Sequence, residues 1–262
     1  MRGRLVALLT IAGVLVLSVS VLAQAGRGQA PAGGRGAAPP PAPTPRSVAP
    51  IDITGYWVAI ISEDWRWRMI TPAKGDFPSV PITLEAQKIA ENWDPARDEA
   101  AGEQCRAYGA PGLMHGPIRM HITWLDDQTL KVETDYGMQT RLLKFGNTPG
   151  GTPNTWQGVT TATWMIAGGG RGRGAQRFGT LKTVTSQLKP GYLRKNGVPY
   201  SNKTVFTEYW DLLTEANGDK YLLDTNIVED PVYLQLPFTT AIHYKQEKDG
   251  SKYDPTPCDA RF

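Results

Sequence analysis

Two pairs of basic residues and one carboxylate are the groups in this chain best suited to chemistry. Arg66 and Arg68 stand two residues apart, as do Arg119 and His121, so on extended strands each pair shares one face of a sheet. Cations gathered in this way inside a barrel would suit a carboxylate, a phosphate or an enolate-like oxygen. Trp65 and Trp67 interleave with the first pair and supply aromatic area for the rest of a ligand. Glu208 shares a strand parity with Phe206 and Trp210. A carboxyl group on such a buried face holds its proton more tightly, as a general acid or base requires, and it needs an arginine or tyrosine partner. His121 is the second candidate for moving a proton. The opposite orientation stays open: with the tryptophan and isoleucine parity inward the arginines are solvated, and with Val205 and Tyr209 inward Glu208 faces water.

Other chemistries lack their residues. Extended chain would set His115 and His121 about 20 Å apart, too far to share one metal ion, and His243 is remote from both. There is no H-E-x-x-H or C-x-x-C pair and no G-x-S-x-G elbow, so no metal, no other cofactor and no serine triad is expected. The run GGGRGRGAQRFG at 168–179 is followed by neither Lys-Ser nor Lys-Thr, and it reads as a surface loop instead of a phosphate cradle. Cys105 and Cys258 are the two cysteines. Neither has a basic or imidazole neighbour that obviously activates it, Arg106 apart, and an even pair is expected to form one disulfide closing a loop of about 150 residues.

The elements that must position these groups are mostly strands. Ile118, Met120, Ile122 and Trp124 alternate with Arg119, His121 and Thr123, and Leu130, Val132 and Thr134 follow a turn at 126–128. A first strand is expected over 56–69, and further strands over 139–145, 155–166, 180–188, 204–213, 221–228 and 238–244, with Asn217-Gly218 as a hairpin turn. One short helix is expected at 83–93, capped by Thr83, with Ala86, Ile89, Ala90 and Trp93 on one face. About nine strands in sequence order, with turns at short intervals, predict an all-β, antiparallel up-and-down β-barrel.

Composition sets the limits of the domain and of its partners. Met1 to Arg4 is a basic start, 5–22 is almost wholly apolar, and Ala23-Gln24-Ala25 offers small residues for cleavage after Ala25, so 1–25 reads as a secretory signal peptide. Residues 26–50, rich in Pro, Gly and Ala, read as a disordered, semi-extended linker, and 51–262 as the barrel domain. The expected location is periplasmic or secreted, with no membrane span after cleavage. Of 28 Lys and Arg and 25 Asp and Glu, five arginines and no acid fall in 1–50, which leaves 51–262 at −2. That balance argues against nucleic acid as a partner.

Two resemblances attach to particular segments. Gly55-Tyr56-Trp57 is similar to the G-x-W signature of lipocalin-like barrels and Thr134-Asp135-Tyr136 to their second motif, although no arginine lies in 238–244, where that signature places one near the end of the last strand. TGYWVAIISEDWRWRM, WDPARDEAAGEQCRAYGAPGLM, LKPGYLRKNGVPYS, FTEYWD and IVEDPVYLQLPF resemble segments of a family of exported proteins of Gram-negative bacteria. That resemblance implies export and a β-rich domain, and it supplies no activity. The expectation is an exported, lipocalin-like barrel that binds a small-molecule ligand through Arg66, Arg68, Arg119, Trp65 and Trp67. The alternatives are a cofactor-free lyase, isomerase or hydratase working through Glu208 or His121, and an envelope interaction module using the Gly-Arg loop and linker. Oligomeric state is not legible from these residues.

Overall fold

The computed structural model describes residues 41–62, 65–167 and 178–261. The signal-peptide reading of 1–25, most of the 26–50 linker and most of the 168–179 loop lie outside the described residues. No helix among them is long and apolar enough to cross a membrane.

The described chain is built around a closed β-barrel. Its strands are β1 (Gly55–Ile60), β2 (Arg119–Asp126), β3 (Thr129–Thr134), β4 (Thr140–Phe145), the short β5 (Gly150–Gly151), β6 (Val159–Ala167), β7 (Phe178–Ser186), β8 (Gly191–Arg194), β9 (Val198–Tyr200), β10 (Val205–Thr214), β11 (Lys220–Glu229) and β12 (Phe238–Glu247). Around the barrel the order is β1-β2-β3-β4-β6-β7-β10-β11-β12, with β12 returning to β1. An up-and-down barrel with an odd number of strands cannot close with antiparallel pairs alone. The single parallel junction falls between β4 and β6, where Leu143 stands opposite Thr160 and β5 turns the chain back. The barrel is therefore antiparallel throughout except at that seam.

Period-two alternation decides which side chains enter. Met120 and Ile122 of β2 are fully buried, as are Trp57 of β1, Phe206, Glu208 and Trp210 of β10, and Leu222, Asp224, Asn226 and Val228 of β11. The tip between β10 and β11 carries Gly218 at φ +88°, a conformation that a side chain disfavours, and Asn217 Oδ1 accepts from the Asp219 amide.

Polar groups also occupy the interior. Arg141 of β4 donates from both terminal nitrogens to Glu208, at 2.7 and 2.5 Å, and Thr183 donates to the same carboxylate. Arg141 is 1% exposed and Glu208 0%, so water does not reach the pair. Asp224 lies fully buried beside them and receives the Asn226 amide. Desolvation first, and then the Glu208 charge, hold the Asp224 carboxyl well above the ordinary carboxylate range, against the pull of Arg141.

The first strand is shorter than its alternation suggests. It stops at Ile60, and Trp65–Arg68 form a helical turn, α1. The Ile60 carbonyl is taken by the Arg68 guanidinium, which also donates to the His115 carbonyl, so a side chain caps the strand end where pairing would otherwise continue. Trp65 and Met69 are consequently exposed. The expected helix is α2 (Leu84–Glu91), with the Thr83 hydroxyl accepting from the Ala86 amide. Two further short helices correct the single-helix expectation. Pro95 opens α3 (Pro95–Ala100) at a position where its missing N–H costs nothing, after the Asp94 cap, and α4 (Ala110–Leu113) follows a 3₁₀ turn at Arg106–Tyr108.

The described residues of 61–118, the β8–β9 hairpin and the β11–β12 connection gather at one end of the barrel, where β1 finishes and β12 begins. Asp230 organises the last of these, accepting from the Ser201 and Thr204 hydroxyls and from the Val232 and Tyr233 amides, so Glu229-Asp230-Pro231 ends β11. The tail after β12 starts at the opposite end. Tyr253 packs edge-on against Tyr56, the Thr256 amide bonds to the Asp135 carbonyl, and Cys258 bonds to Cys105 across 153 residues. Part of the expected linker also touches the barrel, since the Pro45 carbonyl accepts from the Trp164 indole.

Two measurements follow from this core. An Asp whose folded pKa is raised loses stability as pH climbs from its unfolded value near 3.8 toward the folded one, because only the unfolded chain releases the proton. Asp224→Asn removes that loss, so its stability relative to wild type grows by up to about 1.4 kcal/mol per pH unit above that point, read from denaturant midpoints between pH 3 and 7. Replacing Cys105 and Cys258 together by Ser lowers unfolding stability by about 2–5 kcal/mol in the same assay.

Candidate functional site

A cavity of about 260 Å³ opens at the end of the barrel covered by the long connections. Its walls include Trp67 and Arg68 of α1, Gly112 of α4 with His115 and Gly116 after it, Tyr136 between β3 and β4, Leu193 to Lys195 on the β8–β9 hairpin, and Phe238 to Ile242 of β12. Among the described lining residues three are cations, Arg68, Arg194 and Lys195, and none is Asp or Glu. The floor is apolar, with Phe238, Ile242 and Leu193 buried.

Each polar group is fixed by local structure. Arg68 is anchored through the Ile60 and His115 carbonyls. Arg194 donates to the Pro78 carbonyl and stacks over the Trp67 ring at 5.0 Å, a ring that Arg66 also covers at 4.8 Å. The hairpin that carries Arg194 and Lys195 turns at Gly197, at φ +85°, and a Cβ there would lie 2.3 Å from Trp93. Lys195 Nζ lies 2.7 Å from the Tyr136 hydroxyl and 3.2 Å from that of Tyr108. Asp259, one residue past the disulfide, accepts from and donates to the same Tyr108 hydroxyl through its backbone.

His115 sits between Pro111 and Thr240. Its Nδ1 lies 2.9 Å from the Pro111 carbonyl, which can only accept, so Nδ1 carries the proton and Nε2 accepts from the Thr240 hydroxyl at 2.7 Å. Burial, reinforced by the Arg68 charge, brings its pKa down to about 4, against the favourable Pro111 contact. Lys195 is lowered to about 8 by burial, which the Asp259 charge opposes. Tyr136 is pushed up by burial and then by Tyr108, and Tyr108 is raised by burial, so both phenols stay protonated.

The residues expected to form one cationic face are dispersed. Arg119 and His121 point to the outer wall of β2, because Met120 and Ile122 hold the inner parity. There Arg119 pairs with Glu247 at 3.2 Å and His121 stacks on Tyr56 with ring centroids 4.0 Å apart. Arg66 is half-exposed and pairs with Asp76, and Trp65 is 60% exposed. Of the expected ligand-binding set only Trp67 and Arg68 line the cavity. Glu208 has the arginine partner that a buried carboxylate needs, yet it is sealed inside the barrel and not set in an accessible pocket. Among the described residues no group of three His, Cys, Asp or Glu side chains gathers to hold a metal ion.

Sequence reasoning missed Arg194, Lys195, Tyr136 and Thr240, and it weighed His115 only as a metal ligand. Arg194-Lys195-Asn196-Gly197 did carry a signal: two adjacent cations before an Asn-Gly turn, hence at a hairpin tip. No family model matches the chain, and no curated protein and no solved structure matches it either.

The His115 environment is open to direct measurement. The unfolded chain takes up a proton near pH 6.5 and the folded one near 4, so stability falls as pH drops through that window, by up to about 3 kcal/mol. The His115 ring resonances should titrate with a midpoint near 4, and one near 6.5 would show a solvated imidazole.

Proposed function

We propose that the protein is an exported β-barrel that binds a small organic anion in the end cavity, with Arg68, Arg194 and Lys195 receiving the anionic oxygens and Trp67, Leu193 and Phe238 the apolar remainder. The observation that carries this reading is the recess itself, whose described lining sets three basic side chains, Arg68, Arg194 and Lys195, beside an apolar floor. The cavity is smaller than the roughly 300–1,000 Å³ of sites for drug-sized ligands, which favours a molecule of few heavy atoms. The neutral His115 and its Thr240 partner add a hydroxyl and imidazole wall that can orient such a guest without adding charge. Export is supported by the character of 1–25 and by the Cys105–Cys258 bond, which suits an oxidising compartment.

Calorimetric titration with small monocarboxylates, inorganic phosphate and the matching neutral amides tests the proposal. The acids should bind saturably and the amides should not, and affinity should fall as salt is raised. Arg194→Ala should weaken binding about ten-fold or more, the equivalent of one charge-assisted hydrogen bond. Equal binding of acid and amide, or no binding of any anion at millimolar concentration, would overturn it.

A further inference from the structure

We propose that Asn217 is a self-modifying site, at which the Gly218 backbone nitrogen closes on the Asn217 side chain and leaves isoaspartate in its place. The chain holds two Asn-Gly pairs, 196–197 and 217–218, and a glycine after asparagine has no Cβ to crowd such an attack. The fold treats the two pairs in opposite ways. Asn196 is 0% exposed, its amide nitrogen donates to the Ala73 and Asp76 carbonyls at 3.0 Å each, and its Oδ1 meets no donor among the described residues. Both carbonyls belong to a distant stretch of chain, so this side chain is tied away from its own backbone, and Trp93 closes over Gly197.

Asn217 stands exposed at the β10–β11 tip, and nothing lies within 4 Å of the point where a Gly218 Cβ would be. Its side chain bends over its own backbone. Oδ1 accepts from the Asp219 amide at 2.9 Å, which closes a ring that contains the Gly218 nitrogen. The same donor sits on the oxygen where negative charge gathers as the nitrogen attacks. Nδ2 donates to the Asp219 carboxylate at 3.2 Å, and Lys245 holds that carboxylate at 2.8 Å, so the leaving nitrogen is also fixed. One bond opposes the reaction, from the Gly218 amide to the Glu215 carbonyl at 2.9 Å, and it lies at a tip where water can replace the acceptor.

The chemistry balances with water as the single co-reactant. The Gly218 nitrogen gives its proton to solvent and bonds to Cγ of Asn217, the Cγ–Nδ2 bond breaks, and Nδ2 takes up a proton and departs as ammonia. The product is a five-membered succinimide. Water then adds to one of its two carbonyls, and the nitrogen regains a hydrogen as that C–N bond opens. Opening at the main-chain carbonyl leaves the chain running through Cγ as isoaspartate, and opening at Cγ leaves aspartate. Water is consumed, ammonia is released, and nothing is oxidised. Either product sets a new carboxylate beside Asp219, at the end of the barrel opposite the cavity.

Ageing of the intact wild-type chain tests this, so no variant has to fold. The folded protein is held at neutral pH in water enriched in heavy oxygen, sampled over weeks, and mapped by peptide mass spectrometry that separates isoaspartate from aspartate. Asn217 should convert at least about ten-fold faster than Asn196, with heavy oxygen in the product and isoaspartate as the larger share. In denaturant, where both pairs are solvated, the two rates should converge. Conversion of Asn217 no faster than Asn196 in the folded protein overturns the proposal, and so does aspartate without isoaspartate, which marks direct hydrolysis. A rate difference that survives unfolding overturns the part given to the tip geometry.

Discussion

The ion pair between Arg141 and Glu208 determines what the rest of this barrel can do. A guanidinium and a carboxylate taken out of water are tolerable only when most of their hydrogen bonds are satisfied by one another and by neighbours, here Thr183 and Thr185, with the Arg141 Nε alone of these groups left without a hydrogen bond among the described residues. Asp224 completes the interior with its carboxyl held well above the ordinary carboxylate range, by burial first and then by the Glu208 charge. Trp57 and Trp210 fill much of what remains. The described recess lies instead at the end of the barrel, where irregular chain folds over the strands.

The division of labour explains what could be read from the residues alone. The strands were legible because their two faces meet different solvents, so Met120 and Ile122 against Arg119 and His121 spell out a wall with an inside and an outside. The same alternation failed over 61–69, because Trp65, Trp67 and Met69 mimic a strand while Arg68 takes the Ile60 carbonyl and turns the chain aside. A side chain that competes for a backbone acceptor leaves no trace in periodicity. Arg141, Glu208 and Asp224 each sit on the apolar parity of their strands, and only the first-order signal, a charge among hydrophobics, marks them.

The end cavity was far less legible. It draws on residues from 67 to 242, and no local pattern reports that Lys195 will meet Tyr108 and Tyr136 or that Thr240 will meet His115. Such encounters depend on how three long connections fold over one another, and these have neither the period of a strand nor that of a helix. The disulfide was legible for a different reason: with two cysteines present, one intramolecular pairing exists.

That covalent clasp also ties the recess to the C-terminal tail. Tyr108 is steadied by the backbone of Asp259, the residue just beyond Cys258, so the phenol wall beside Lys195 is assembled by chain from the far side of the molecule. A polypeptide whose barrel has formed but whose thiols are still reduced would hold a finished scaffold with an unfinished recess.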